Sequence, residues 1–202
     1  MGTLPVVTCE LVGGLGNQLF ILAATLAYAR RHGLACALPA AYAGMRGQDG
    51  SSRPVYWNTL LRALRPLLLD ALPPESDTQV VEDAAYFTHT PCPAPRPGCA
   101  AVRLRGYFQH LAYADEASVR ELGVGALQGS TVHNAIALHF RLGDYQLLRH
   151  IYPAMTAAYY ARALEHVARA TGRADWAVHY ALQEKDDACV AGVLRELRAR
   201  LP

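Results

Sequence analysis

Lysine is almost missing from this sequence: Lys185 stands alone beside 18 arginines, in a chain that also carries 35 alanines. Excess of Ala and Arg together marks a compositional bias, so the arginines by themselves argue for no partner. An excess of one charge is lacking too, with 10 basic and 10 acidic residues over 1–125 and 9 and 7 over 126–202. The close pairs Arg30 with Arg31 and Arg103 with Arg105 make no positive footprint, which sets nucleic acid aside as a partner. Long hydrophobic runs are absent: Leu19 to Ala29 spans 11 residues with Thr25 inside it, whereas a bilayer span needs about 20. No positive n-region precedes that run, and Gly13, Gly14, Gly16, Asn17 and Gln18 interrupt any secretory core. The chain as given is therefore expected to be soluble, cytoplasmic or membrane-peripheral. Cysteines number five and form no CxxC, and none lies at ligand spacing from a His, so no metal site is expected. Cys92 and Cys99 bracket a proline-rich loop and are the one pair that could bridge, but reduced thiols are the reading.

What is present is a folding composition, 52% apolar and 18% charged, well outside the range of disorder. Its 202 residues suffice for one large domain or two small ones. Pro5 to Val12 reads as a buried strand, followed by a glycine turn and a helix from Gln18 to His32 closed by Gly33. Ala35 to Leu38 reads as the next strand, ending at Pro39, and Ala43 to Arg53 as a loop. Leu60 to Leu69 is apolar at helical spacing, and the four prolines of Pro91 to Gly98 require an extended surface segment. Ala101 to Leu104 is a strand, and Asp115 caps a short helix reaching Leu122. Gly123 to Ser130 reads as a linker, which divides the chain into domains 1–125 and 126–202. Beyond it come a strand from Ala135 to Phe140, a helix from Pro153 to Ala170 stopped by Gly172, a strand from Trp176 to Leu182, and a helix to Leu201 capped by Asp186 and Asp187. Strands alternating with helices predict an α/β fold with mainly parallel sheets.

Four stretches hold residues suited to chemistry. Gly13 to Phe20 lies between the first strand and helix, where backbone N–H groups and the helix dipole suit a diphosphate. The plain alternative there is a tight turn with Asn17 as N-cap. A dinucleotide fingerprint fits worse, because it needs Gly where Leu19 stands and an acid where Pro39 and Ala40 stand. His139 to Tyr145 follows a strand, and ligands bind at the carboxyl ends of parallel strands. Alternation puts His139 and Arg141 on one side, where the forked Arg141 donors suit a pyrophosphate; an Arg141–Asp144 ion pair is the alternative. Gly106-Tyr107-Phe108-Gln109 offers an aromatic pair and an amide that suit a sugar, or simple packing. Glu184, at another strand's end, suits a ribose or base hydroxyl, or water.

In this order the four stretches resemble one family, the α-1,2-fucosyltransferases of glycosyltransferase family 11. The family's GGLGNQLFQYA-type opening is matched by GGLGNQLFILA, its GYFQ segment by GYFQHLAYA, and its HxRRGDY signature by HFRLGDY. Pro153 and the Tyr159-Tyr160-Ala161-Arg162-Ala163 run match what usually follows, so the resemblance spans roughly Val7 to Leu194. Leu142 departs from the family by standing where a second Arg is usual. The family's FSDD becomes YALQEK, with Glu184 a shifted stand-in for the acid. Family members also continue for several βα units, so the resemblance leads one to expect a C-terminally truncated member.

The resemblance implies a GT-B-like fold of two Rossmann-like parallel-sheet domains, an acceptor-side one at 1–125 and an incomplete GDP-fucose-binding one at 126–202, with the site in their crevice. It implies inverting transfer of L-fucose from GDP-fucose to a galactoside hydroxyl of a glycan acceptor, without a metal or cofactor. Arg141 would meet the charge of the leaving GDP, His139 position the phosphates and Asp144 orient Arg141. Substrate-binding roles would fall to Gly14, Gly16, Asn17, Gln18, Tyr107, Gln109, Gly143, Tyr145 and Glu184. Eukaryotic relatives would be Golgi enzymes, and peripheral membrane association and self-association are the further partner expectations. The alternative function is a non-catalytic remnant binding a nucleotide, a glycan or a protein; a nucleotide-sugar enzyme of other chemistry is a third.

Overall fold

The computed structural model describes residues 5–40, 53–85, 88–123 and 134–200, with backbone alone at Asp144. Expected features at 43–52 and at the 124–130 linker lie outside those residues, as does the boundary near 125. The chain divides into two compact units, Met1–Gly129 and Ser130–Pro202. Both are α/β with parallel strands.

The first unit is built on β1 (Val6–Cys9), α1 (Leu15–His32), β2 (Ala35–Cys36), β3 (Leu38–Pro39), β4 (Leu68–Leu69), β5 (Thr78–Glu82), β6 (Ala101–Arg105) and α2 (Glu116–Glu121). Its main sheet runs β2-β1-β6-β5, and β3 pairs with β4 beside it. Central β1 and β6 pair from Val6 with Ala101 to Cys9 with Leu104. Parallel strands covered on both faces need apolar side chains throughout, and Val7, Cys9, Val102 and Leu104 are all buried. The α1 helix is buried nearly all round, from Ile21 to Ala29, as a helix low in charge must be. It starts three residues before its expected beginning, at Leu15, and ends at Gly33, whose φ of 63° makes the left-handed C-cap. Arg30, in the last turn, reaches both Asp115 and Glu121 and so fastens α1 to α2. Asp115 and Ser118 close a reciprocal capping box there.

Two features of this unit depart from the sequence reading or are missing from it, each for a local reason. Residues 60–69 make a 3₁₀ turn at Arg62–Leu67 followed by β4, because Pro66 lacks an N–H and clashes with the carbonyl an α-helix would place behind it. Strand β5 carries Gln79 and Glu82 and exposes Val80, so its edge position leaves no run of apolar residues to read. Pro91 to Arg96 forms no helix or strand, as expected. It is hooked to α1 by Tyr28 Oη donating to Pro93 O at 2.8 Å, and to β5 by the Gln79 amide.

The second unit is β7 (Ala135–His139), α3 (Ala157–Thr171), β8 (Ala177–Ala181) and α4 (Asp187–Arg200), with β7 parallel to β8. Ala157, Tyr160, Ala161 and Leu164 are the buried face of α3, spaced i, i+3, i+4, i+7. Thr156, not Pro153, starts that helix, accepting from the Tyr159 N–H. Val190, Val193, Leu194 and Leu197 repeat the spacing on α4 and pack with α3, Leu138 and Phe140 into one small core. Among the described residues no helix is long and apolar enough to cross a membrane.

Candidate functional site

In the first unit the turn after β1 and the loop after β6 meet at the carboxyl ends of neighbouring strands. Gly13 has φ 74°, and a Cβ there would collide with the Asn17 amide, so glycine is required. Gly14 is the N-cap of α1, Asn17 lies inside the helix, and no side chain caps the first turn. The Asn17 N-cap alternative therefore fails, and the first-turn N–H groups have no acidic side chain among them. Gly16 is exposed with open space at its Cβ position.

Gln18 is fully buried and clasps the turn from inside, its Nε2 donating to Gly13 O at 3.3 Å and Pro54 O at 3.1 Å. Its Oε1 is buried without a partner. Asn17 Oδ1 accepts from Gln109 Nε2 at 2.7 Å, so the structure brings together two residues expected at the site. The loop bearing Gln109 is forced: Gly106 has φ 127° against Asp83, and Phe108, buried, has φ 51°. A non-glycine residue holds such a φ only when its surroundings over-determine it. Asp83 does so, its Oδ2 accepting from Phe108 N at 2.6 Å and its Oδ1 from Tyr113 Oη at 3.4 Å. Burial of that phenol, aided by the neighbouring carboxylate, raises the Tyr113 pKa despite the hydrogen bond from Thr90 N–H. Tyr107 is half-buried. At this mouth Arg105, the last residue of β6, is paired with Glu10 and Glu82.

In the second unit β7 runs straight into the HFRLGDY segment. Phe140 is buried while His139 is exposed and Arg141 half-exposed, the alternation expected of a strand end. Tyr160 Oη donates to His139 O at 3.1 Å. The Arg141 guanidinium lies 4.4 Å over the Tyr145 ring, and Tyr145 stacks on Tyr152 with centroids 4.5 Å apart. That contact is a cation–π interaction, which places the Arg141 charge against the stack of the Tyr145 and Tyr152 rings. The expected role of Asp144 concerns a side chain outside the described residues. Gly143, at φ 39°, is pressed against Gln183, and its N–H donates to Asp186 Oδ2 at 2.7 Å. Asp186 Oδ1 accepts from Gln146 Nε2 at 3.1 Å, and Gln146 Oε1 accepts from Arg149 Nη2 at 3.4 Å. Asp186 is 1% exposed, whereas Glu184, the acid singled out in the sequence, is exposed. Arg141, Tyr145, Gln146, Arg149 and Tyr152 line one shallow depression.

Sequence reasoning passed over Asp83, Gln146, Arg149 and Tyr152 and saw Asp186 only as a helix cap. The signal for Asp186 was its place one turn past a strand end, where a carboxylate meets the loop of the neighbouring strand. No group of three or more His, Cys, Asp or Glu suited to a metal occurs among the described residues. All five cysteines are free thiols. Comparison with known proteins finds no matching family model, no matching curated protein and no matching solved structure.

Proposed function

We propose that this chain is a GT-B-like fucosyltransferase that moves L-fucose from GDP-fucose to a galactoside hydroxyl. The observation that carries the reading is Arg141, its guanidinium 4.4 Å over the Tyr145 ring at the carboxyl end of a parallel strand within the HFRLGDY segment. In the proposed step the acceptor oxygen bonds to the anomeric carbon as the bond from that carbon to the phosphate oxygen breaks. GDP leaves with the electron pair, the acceptor's proton passes to solvent water, and configuration inverts. Charge grows on the departing diphosphate, and a planar guanidinium with forked donors answers it best in the transition state. His139 would position the phosphates, and Asp144 and Gly143 would shape the loop. Asn17, Gln109 and the N–H groups at Gly14 and Gly16 would contribute the donors of the first unit, with Tyr107 beside the sugar.

A second reading, binding without transfer, draws support from Leu142, an aliphatic residue packed on the second unit's core at the position where a second cation would assist the leaving group. The deciding experiment incubates the chain with GDP-fucose and lactose in EDTA. Formation of fucosyl-lactose and GDP in equal amounts supports transfer. Turnover that vanishes in EDTA and returns with Mn²⁺ contradicts the metal-independent step, and tight GDP binding without product supports the second reading.

A further inference from the structure

We propose that the loop tip from Leu147 to Met155 in the second unit is a membrane-docking surface, and that its partner is a bilayer carrying anionic headgroups. It stands whether or not the chain transfers fucose.

Apolar side chains at a surface are ordinary when scattered and signal a partner when they cluster. Here Leu147, Ile151, Tyr152 and Met155 are 64%, 57%, 46% and 41% exposed within nine residues of chain, with exposed Pro153 and Ala154 among them. Leu142, just before, packs on the core of the unit, and none of these four belongs to that core. The tip is nevertheless held at its base. Tyr145 stacks on Tyr152 with ring centroids 4.5 Å apart, and the N–H groups of Ile151 and Tyr152 both donate to Leu148 O at 2.8 Å. Buried Asp186 accepts from the Gly143 N–H and the Gln146 amide just ahead of it. Leu147 and Ile151, four residues apart across this turn, are neighbours on its surface.

Charge selects the partner. From Tyr145 to Leu164 the chain contains no Asp or Glu. Arg149, exposed at the tip, bonds the neutral Gln146 amide, and Arg162 is exposed on the open side of α3; among the described residues neither is in an ion pair. Apolar side chains beside cations match a surface that offers anionic headgroups over hydrocarbon, where basic residues add attraction and aliphatic ones add transfer free energy. Shape points the same way. A protein partner is anchored in a pocket, and the depression that Arg149 and Tyr152 line is shallow, whereas a bilayer accepts an exposed tip without matching its contour. Tyr152, with an apolar ring and a hydroxyl, suits the headgroup level.

The test is co-flotation of the full chain with vesicles at low salt, one set of phosphatidylcholine alone and one with about a third phosphatidylserine. The parent should bind the mixed vesicles and release them as salt rises. The double variant Leu147→Ser with Ile151→Ser should weaken that binding about tenfold or more. Arg149→Gln with Arg162→Gln should weaken it about tenfold on mixed vesicles and leave neutral ones unchanged. Leu111→Ser, at a side chain 79% exposed in the first unit, should leave binding as it is. All five positions are exposed, so Tm should hold in every variant.

No binding of the parent to mixed vesicles overturns the docking surface, and so does equal binding by the Leu147 and Ile151 double variant or an equal loss in Leu111→Ser. Unchanged binding by the arginine double variant overturns the anionic partner. Self-association of the parent that the apolar double variant abolishes, without vesicle binding, gives the tip to a second copy of the chain and overturns the membrane. Vesicle binding with the expected variant pattern and no fucose transfer upholds the docking surface and removes only the transferase reading.

Discussion

The two units solve the same packing problem to different depths. In the first, central strands β1 and β6 are buried on both faces and α1 lies across them almost without exposure. In the second, Leu138 is the one buried residue of β7, and every residue of β8 is exposed, including Val178 and Tyr180. The loops follow suit. Those of the first unit are held by buried Asp83 and Gln18 and by the part-buried Asn17–Gln109 contact, whereas among the described residues the arginine loop of the second hangs on one buried acid, Asp186. Stability gathers in the first unit, and in the second, with its exposed sheet, local opening costs less.

The largest expected effect contrasts the cores. Leu22→Ala, at a residue with no exposure, should cost about 2–5 kcal/mol. Val178→Ala on β8, where the side chain is 42% exposed, should change stability by less than about 0.5 kcal/mol. Urea denaturation measures both, and a comparable loss for Val178→Ala would erase the contrast.

The next effect sharpens the comparison of loops. Asp83→Ala and Asp186→Ala each orphan a donor, the Phe108 and Gly143 N–H groups respectively, at about 1–3 kcal/mol apiece. Asp186→Ala should also weaken pyrophosphate binding, and Asp83→Ala should not. Reversal of that pattern in titrations would place the anion on the first unit's glycine turn.

The smallest effect is a pH dependence confined to the first unit. His32, packed on Tyr28 with ring centroids 4.4 Å apart, has its pKa lowered from 6.5 by burial and by Arg31. The unfolded chain takes up that proton first, so the stability His32 confers is present above pH 6.5 and is lost as pH falls below it. His32→Gln should flatten the fall in Tm between about pH 7.5 and 5.5. An unchanged slope would assign the fall to other groups.

Much of the fold is legible in the chain because its punctuation is local. Gly33 and Gly172 stop helices by the left-handed φ that only glycine takes easily, and the α3 stripe follows from spacing alone. Apolar spacing over 60–69 suggests a helix, but the missing N–H of Pro66 decides against an α-helix there. Strand β5 was not legible because an edge strand owes its pairing to β6 and not to its own side chains. At the site, Arg141 and Asn17 could be picked out from motif position. The place of Asp186 past a strand end hinted at a loop contact, but nothing in the sequence names its partner Gln146, 40 residues away. Glu184 and Asp186 are two residues apart, and burial alone separates the exposed carboxylate from the one that holds the loop.

Titration of GDP-fucose into the parent chain and into Arg141→Ala is the most direct test of the central claim. A bidentate, partly buried guanidinium contact predicts a loss of about 2–4 kcal/mol in binding, incomplete rescue by Arg141→Lys and an unchanged Tm. Equal affinity in parent and variant, or a large fall in Tm with affinity preserved, would contradict it and return Arg141 to a structural role.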